Sequence, residues 1–102
     1  MFGKKASSNV SAEYIRGLFP IGTVVSLYGT VRRVMICGVF ACDNNGREYD
    51  YVGVLYPDGC SGEQKRFMFD RKEIERVYFR GYDDVERKDF IEKLIRLRDK
   101  GV

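Results

Sequence analysis

The side chains best suited to chemistry in this sequence are carboxylates, thiols and phenols, because the chain contains no histidine. That absence removes the commonest general base, the usual partner of a Ser or Cys nucleophile, and the commonest metal ligand. Two acidic groups could supply paired carboxylates or a cation site: Asp70 with Glu73 and Glu75, and Asp83 and Asp84 with Glu86. Both fall where helices are expected to begin. There, acids cap free amides and meet the positive end of the helix dipole without doing chemistry. Cys37, Cys42 and Cys60 follow no CxxC spacing, and an odd count behind a polar N-terminus points to reduced thiols in the cytosol. Buried, inert thiols are expected. Cys60, in a Gly-flanked loop, is the one placed for reactivity, yet no basic partner adjoins it. The glycines form neither GxGxxG nor GxxxxGK, so no phosphate cradle is expected. The chain is therefore read as non-enzymatic, with no cofactor and no metal.

Binding is the remaining class, and tyrosine is the residue that points to it. On a third strand, Tyr49, Tyr51, Gly53 and Leu55 share one face, while Asp50, Val52, Val54 and Tyr56 share the other. Repeated phenols either pack beneath a helix with their hydroxyls at the rim, or form a half-exposed surface for a protein partner. Tyr49, Tyr51 and Tyr56, with Tyr82, are the candidate contacts. Basic pairs at Arg32-Arg33, Lys65-Arg66 and Arg71-Lys72 interleave with aromatics as in single-strand-binding barrels. Each pair is answered by acids, however, and a net charge of +3 is small for a nucleic-acid partner.

The elements that must position these residues are legible in outline. Ser11 caps a helix of a turn or two, limited by Gly17 and Pro20. Residues 23–28 form a strand, with Val24 and Ser26 alternating against Val25 and Leu27. Residues 31–42 and 48–56 form a long hairpin about Asn45-Gly46, whose residues accept the positive φ of a tight turn. Gly38 and Gly53 fall nearly opposite each other in that hairpin, which predicts a sharp coil of the sheet. Residues 66–69 read as an edge strand, Asp70 caps a single turn over 71–74, and residues 76–79 return as a strand. A C-terminal helix starts at Asp83 or Asp84, carries Val85, Phe90, Ile91, Leu94, Ile95 and Leu97 as its apolar stripe, and ends at Gly101.

The sum is an α+β domain over residues 11–102, preceded by a basic arm at 1–10 that is disordered or ordered only on a partner. Its sheet is a small, curled antiparallel one of four to five strands, with an SH3-like half-barrel as one form it could take, and a C-terminal amphipathic helix packs on it. With 44% hydrophobic residues in 102, the chain can bury one core without staples. No apolar run is long enough to span a membrane.

Several blocks carry a resemblance. They are Leu18-Phe19-Pro20-Ile21-Gly22-Thr23-Val24-Val25, Met35-Ile36-Cys37-Gly38, and Tyr49-Asp50-Tyr51-Val52-Gly53-Val54-Leu55-Tyr56-Pro57-Asp58-Gly59, followed by Phe69-Asp70 and Ile74-Glu75-Arg76-Val77-Tyr78-Phe79-Arg80-Gly81-Tyr82-Asp83-Asp84. Together they resemble a small family of domains of unknown function in Gram-positive bacteria, encoded beside LXG toxins and type VII secretion genes. The resemblance spans residues 18–97. It implies a cytoplasmic accessory protein, an adaptor or chaperone whose partner is an LXG effector or its small helical targeting factors. It implies no activity and carries over no catalytic residue. The basic arm and Cys60 depart from the pattern. A toxin-neutralising immunity protein and a small nucleic-acid-binding barrel stand as alternatives.

Overall fold

A computed structural model describes residues 11–60 and 65–99. The order of elements is α1 (Ala12–Arg16), β1 (Val24–Leu27), β2 (Arg33–Cys42), β3 (Glu48–Leu55), β4 (Phe67–Phe69), a 3-10 turn (Arg71–Glu73), β5 (Ile74–Phe79) and α2 (Val85–Asp99). The strands form one antiparallel sheet in the order β4-β3-β2-β1-β5. This is the expected α+β layout. The sheet stays open instead of closing into a barrel, so β4 and β5 are its two edges. The expected basic arm at 1–10 and the helix stop at Gly101 lie outside the described residues.

Local chemistry explains most boundaries. The Ser11 hydroxyl accepts from Tyr14 N at 3.1 Å and starts α1. Asp84 Oδ1 accepts from Arg87 N at 2.9 Å, so Asp84, and not Asp83, caps α2. The β2–β3 hairpin closes with Asp43 N on Arg47 O and Gly46 N on Asp43 O. Only Gly46 in that loop has positive φ, at 85°. The loop is thus a tight turn over Asp43–Gly46 that ends on a left-handed glycine, at the turn signal read from the sequence.

The hairpin bends where the two glycines predicted it would. Gly53 lies opposite Ile36, Gly38 opposite Val52, and the register shifts between them at Cys37. A Cβ on Gly53 would meet Val34 Cγ1 at 2.5 Å and Met35 O at 2.9 Å. The position is therefore closed to any side chain.

Both helices pack on one face of the sheet. Ile15 and Leu18 from the α1 region and Ile91, Leu94 and Ile95 of α2 meet Val25, Leu27, Val34, Ile36, Tyr51 and Phe69 in a single cluster. An exposed Arg16–Glu92 pair at 2.7 Å joins the two helices. The apolar stripe expected on α2 is narrower than read: Val85, Phe90 and Leu97 are exposed, and Arg98 takes the last buried position. Arg98 can be buried because Glu48, at the start of β3, meets it through two 2.9 Å hydrogen bonds. Its guanidinium also lies 4.0 Å above the ring of Phe40.

Candidate functional site

Antiparallel pairing sorts the remaining side chains, because residues directly opposite each other project from the same face. Phe79 pairs with Val24, Val24 with Met35, and Met35 with Val54. These four make an apolar row across four strands. Val24 and Val54 are buried but stand outside the helix-covered cluster, which places the row on the opposite face. The next row along β1 is polar, since Ser26 pairs with both Arg33 and Arg76. Among the described residues no helix covers this face.

Tyr78 joins the two rows. A register irregularity in β5 lets both Tyr78 and Phe79 contribute to this face, with Arg33 4.4 Å and Arg76 5.8 Å from the Tyr78 ring centre. Hydrogen bonds from Arg33 and then Ser26 to the phenol, reinforced by the charge of both arginines, hold its pKa below the ordinary phenol value. An open groove of about 550 Å³ lies here, lined by Gly22, Val24, Arg33, Met35, Tyr56, Tyr78 and Phe79. Its chemistry is that of a recognition surface: an apolar floor, aromatic walls and the Arg33 guanidinium, with Arg76 next to it across Tyr78. Loop residues hold its border. Thr23 Oγ1 donates to Pro20 O at 2.7 Å and accepts from Gly81 N at 3.0 Å, tying the entry of β1 to the exit of β5.

The structure separates the four candidate tyrosines. Tyr51 is fully buried, its ring 5.5 Å from that of Phe69 and its hydroxyl accepting from Phe19 N at 2.9 Å. It is a core residue and is not available to a partner, a correction to its reading as a contact. The demand of the core for a large ring, with one backbone amide at the rim to satisfy the hydroxyl, outweighed interface use. Tyr49 is half-buried near the hairpin turn, with its hydroxyl 3.2 Å from Asp43 and Arg47 stacked on its ring. Tyr56 lines the groove, and Tyr82 is exposed between β5 and α2.

The acidic groups have structural employment. Asp50 Oδ2 accepts from the Tyr14 hydroxyl and from Arg71 N, while Asp70 accepts from Asp50 N and Arg47. Burial, with Asp50 beside it, pushes the Tyr14 phenol above its ordinary pKa. Glu73 accepts from Asp70 N at 2.9 Å. Asp83 meets Arg87 and Lys88, each at 3.5 Å. Of the basic pairs, Arg32 is held by Asp58 at 2.6 Å and Arg71 stacks over Tyr14, so only Arg33 faces the groove. Cys60 is exposed and Cys37 half-buried, and burial with Cys60 nearby raises the Cys37 thiol. Sequence reasoning placed Tyr56 and Arg33 but missed Val24, Met35, Arg76 and Phe79 as one surface. The Val24/Ser26 alternation in β1 was the available signal.

These features define a small α+β domain whose open sheet has one helix-covered face and one face left to a groove. The chain belongs to the family described as domain of unknown function DUF4176, whose model matches residues 18–90. Comparison with curated proteins and with solved structures finds no match. Among the described residues no helix is long and apolar enough to cross a membrane.

Proposed function

We propose that this chain is a non-catalytic accessory protein that binds an LXG effector of a type VII secretion system in the cytoplasm, as an adaptor or chaperone. One observation carries the binding part of this reading: an apolar row and a cationic row lie side by side on the sheet face opposite the helices. Exposed apolar surface framed by charge is characteristic of interaction sites. The choice of partner rests on the family resemblance carried by the blocks from Leu18 to Asp84. Co-purification of the tagged chain with the products of neighbouring genes tests it. Retention of the effector through its N-terminal LXG region supports an adaptor, and retention through the toxic C-terminal region supports an immunity protein. No effector retained at modest salt refutes both.

A second reading has its own support. Arg33, Arg76 and the exposed rings of Tyr78 and Phe79 have the composition of a single-strand stacking platform. It requires binding to single-stranded RNA that weakens steeply with salt. A salt-insensitive or absent gel shift removes it.

A further inference from the structure

We infer that the groove between Phe79 and Tyr56 recognises a carboxylate side chain set beside an apolar residue in a linear segment of a partner protein. The inference deepens the binding reading above and rests on it. It starts from the two rows. Arg33 and Arg76 sit on either side of Ser26, two inter-strand spacings apart, or about 10 Å between their backbones. Among the described residues neither guanidinium meets a carboxylate at ion-pair distance, although six other cation–carboxylate contacts are formed. Glu75, adjacent to Arg76 in β5, engages neither.

Both arginines are instead gathered at Tyr78, 4.4 Å (Arg33) and 5.8 Å (Arg76) from its ring centre. Tyr78 holds the two guanidinium groups near one another, and each has five N–H donors, so donors remain beyond those used at the phenol to receive a carboxylate. The apolar row lies two residues along the strands, roughly 7 Å away. An acid and an apolar side chain two residues apart on an extended segment match that separation. Phe79 is 62% exposed and Tyr78 46%, so apolar area remains for the second residue to cover.

Selection of random linear peptides displayed on phage against the full chain tests this. The expected consensus has Asp or Glu within a few positions of an apolar residue. A synthetic consensus peptide should shift the backbone amide signals of Val24, Arg33, Met35, Tyr78 and Phe79. Arg33→Gln with Arg76→Gln, both on exposed positions, should weaken that peptide about tenfold or more at unchanged circular dichroism. Arg33→Glu with Arg76→Glu should turn the selected consensus from acidic to basic. Any of four results overturns the inference: no peptide selected, a consensus without acid, shifts confined to the helix-covered face, or displacement of the peptide by single-stranded RNA. Protection of the same residues by a concentration-dependent dimer overturns it too. If acidic peptides fail while the effector still binds, the groove is discarded and the accessory role stands. If acidic peptides seat in the groove while no effector binds, the role falls and the site remains.

Discussion

Neutralising Glu48 should cost a large fraction of the stability of this fold. The Glu48 and Arg98 side chains are 3% and 2% exposed and meet through two 2.9 Å hydrogen bonds. Glu48→Gln keeps the shape and one acceptor but removes the carboxylate charge that meets the buried Arg98 guanidinium. Breaking a buried pair from one side costs about 3–5 kcal/mol. Against a total of about 5–15 kcal/mol for a natural domain, that is about a fifth of the stability or more. At a urea dependence of about 2 kcal/mol per molar, the midpoint should fall by roughly 2 M.

Arg98→Met should cost a similar amount, because it strands the carboxylate and removes the cation from the face of Phe40. The double change Glu48→Leu with Arg98→Met is expected within about 1 kcal/mol of the natural protein, since two apolar groups replace a costly desolvated pair. The coupling between the sites should therefore be several kcal/mol. Urea titration followed by circular dichroism, run as a double-mutant cycle, measures it. Single changes that each cost under about 1 kcal/mol, or a double variant that costs their sum, would refute the burial argument. The pair clamps the last turn of α2 to the start of β3 on the helix-covered face, so the folded double variant should keep its binding unchanged.

Other expectations follow from single contacts. Tyr51→Phe should lose about 1–3 kcal/mol by stranding the Phe19 amide, and Tyr51→Ala about 3–5 kcal/mol through the cavity, both read by thermal melts. The raised pKa of Tyr14 and Tyr51, due mainly to burial, sets a direction with pH. Their protonated forms are favoured by the fold, so this stability is present below the unfolded phenol value of about 10 and is lost as pH rises past it. The alkaline loss should be smaller in Tyr14→Phe, and an unchanged loss would contradict it. Exposed Cys60 should be alkylated by maleimide well before half-buried Cys37, as peptide mass mapping over time will show.

Local signals made much of the fold legible. Ser11 and the acids at Asp70 and Asp84 mark turn and helix starts because capping is a short-range interaction, and strand alternation in β1 separates Val25 and Leu27 from Val24 and Ser26. The pair of glycines in the hairpin located its bend because a missing Cβ has one strong use inside a strand. What stayed hidden was long-range. Nothing within α2 tells that Arg98 has Glu48, fifty positions earlier, to receive it, so exposed Leu97 read as core and buried Arg98 did not. The candidate site was half legible for the same reason. The tyrosines of β3 stand out along one strand, whereas strand order places β1 between β2 and β5 and so aligns Arg33, Ser26 and Arg76. That order is set by which strands pair, and periodicity along one strand does not carry it.

The central claim is that the helix-free face is where this protein meets its partner. The most direct measurement is co-elution of the tagged chain with the LXG effector proposed as its partner on a sizing column. It should be made for the natural sequence, for Arg33→Glu with Phe79→Ser, and for Tyr82→Ser as an exposed control away from the groove. Co-elution of the natural and Tyr82→Ser proteins, with loss in the folded groove variant, is the predicted outcome. An effector that fails to co-elute with the natural protein, or that follows all three equally, would contradict the account.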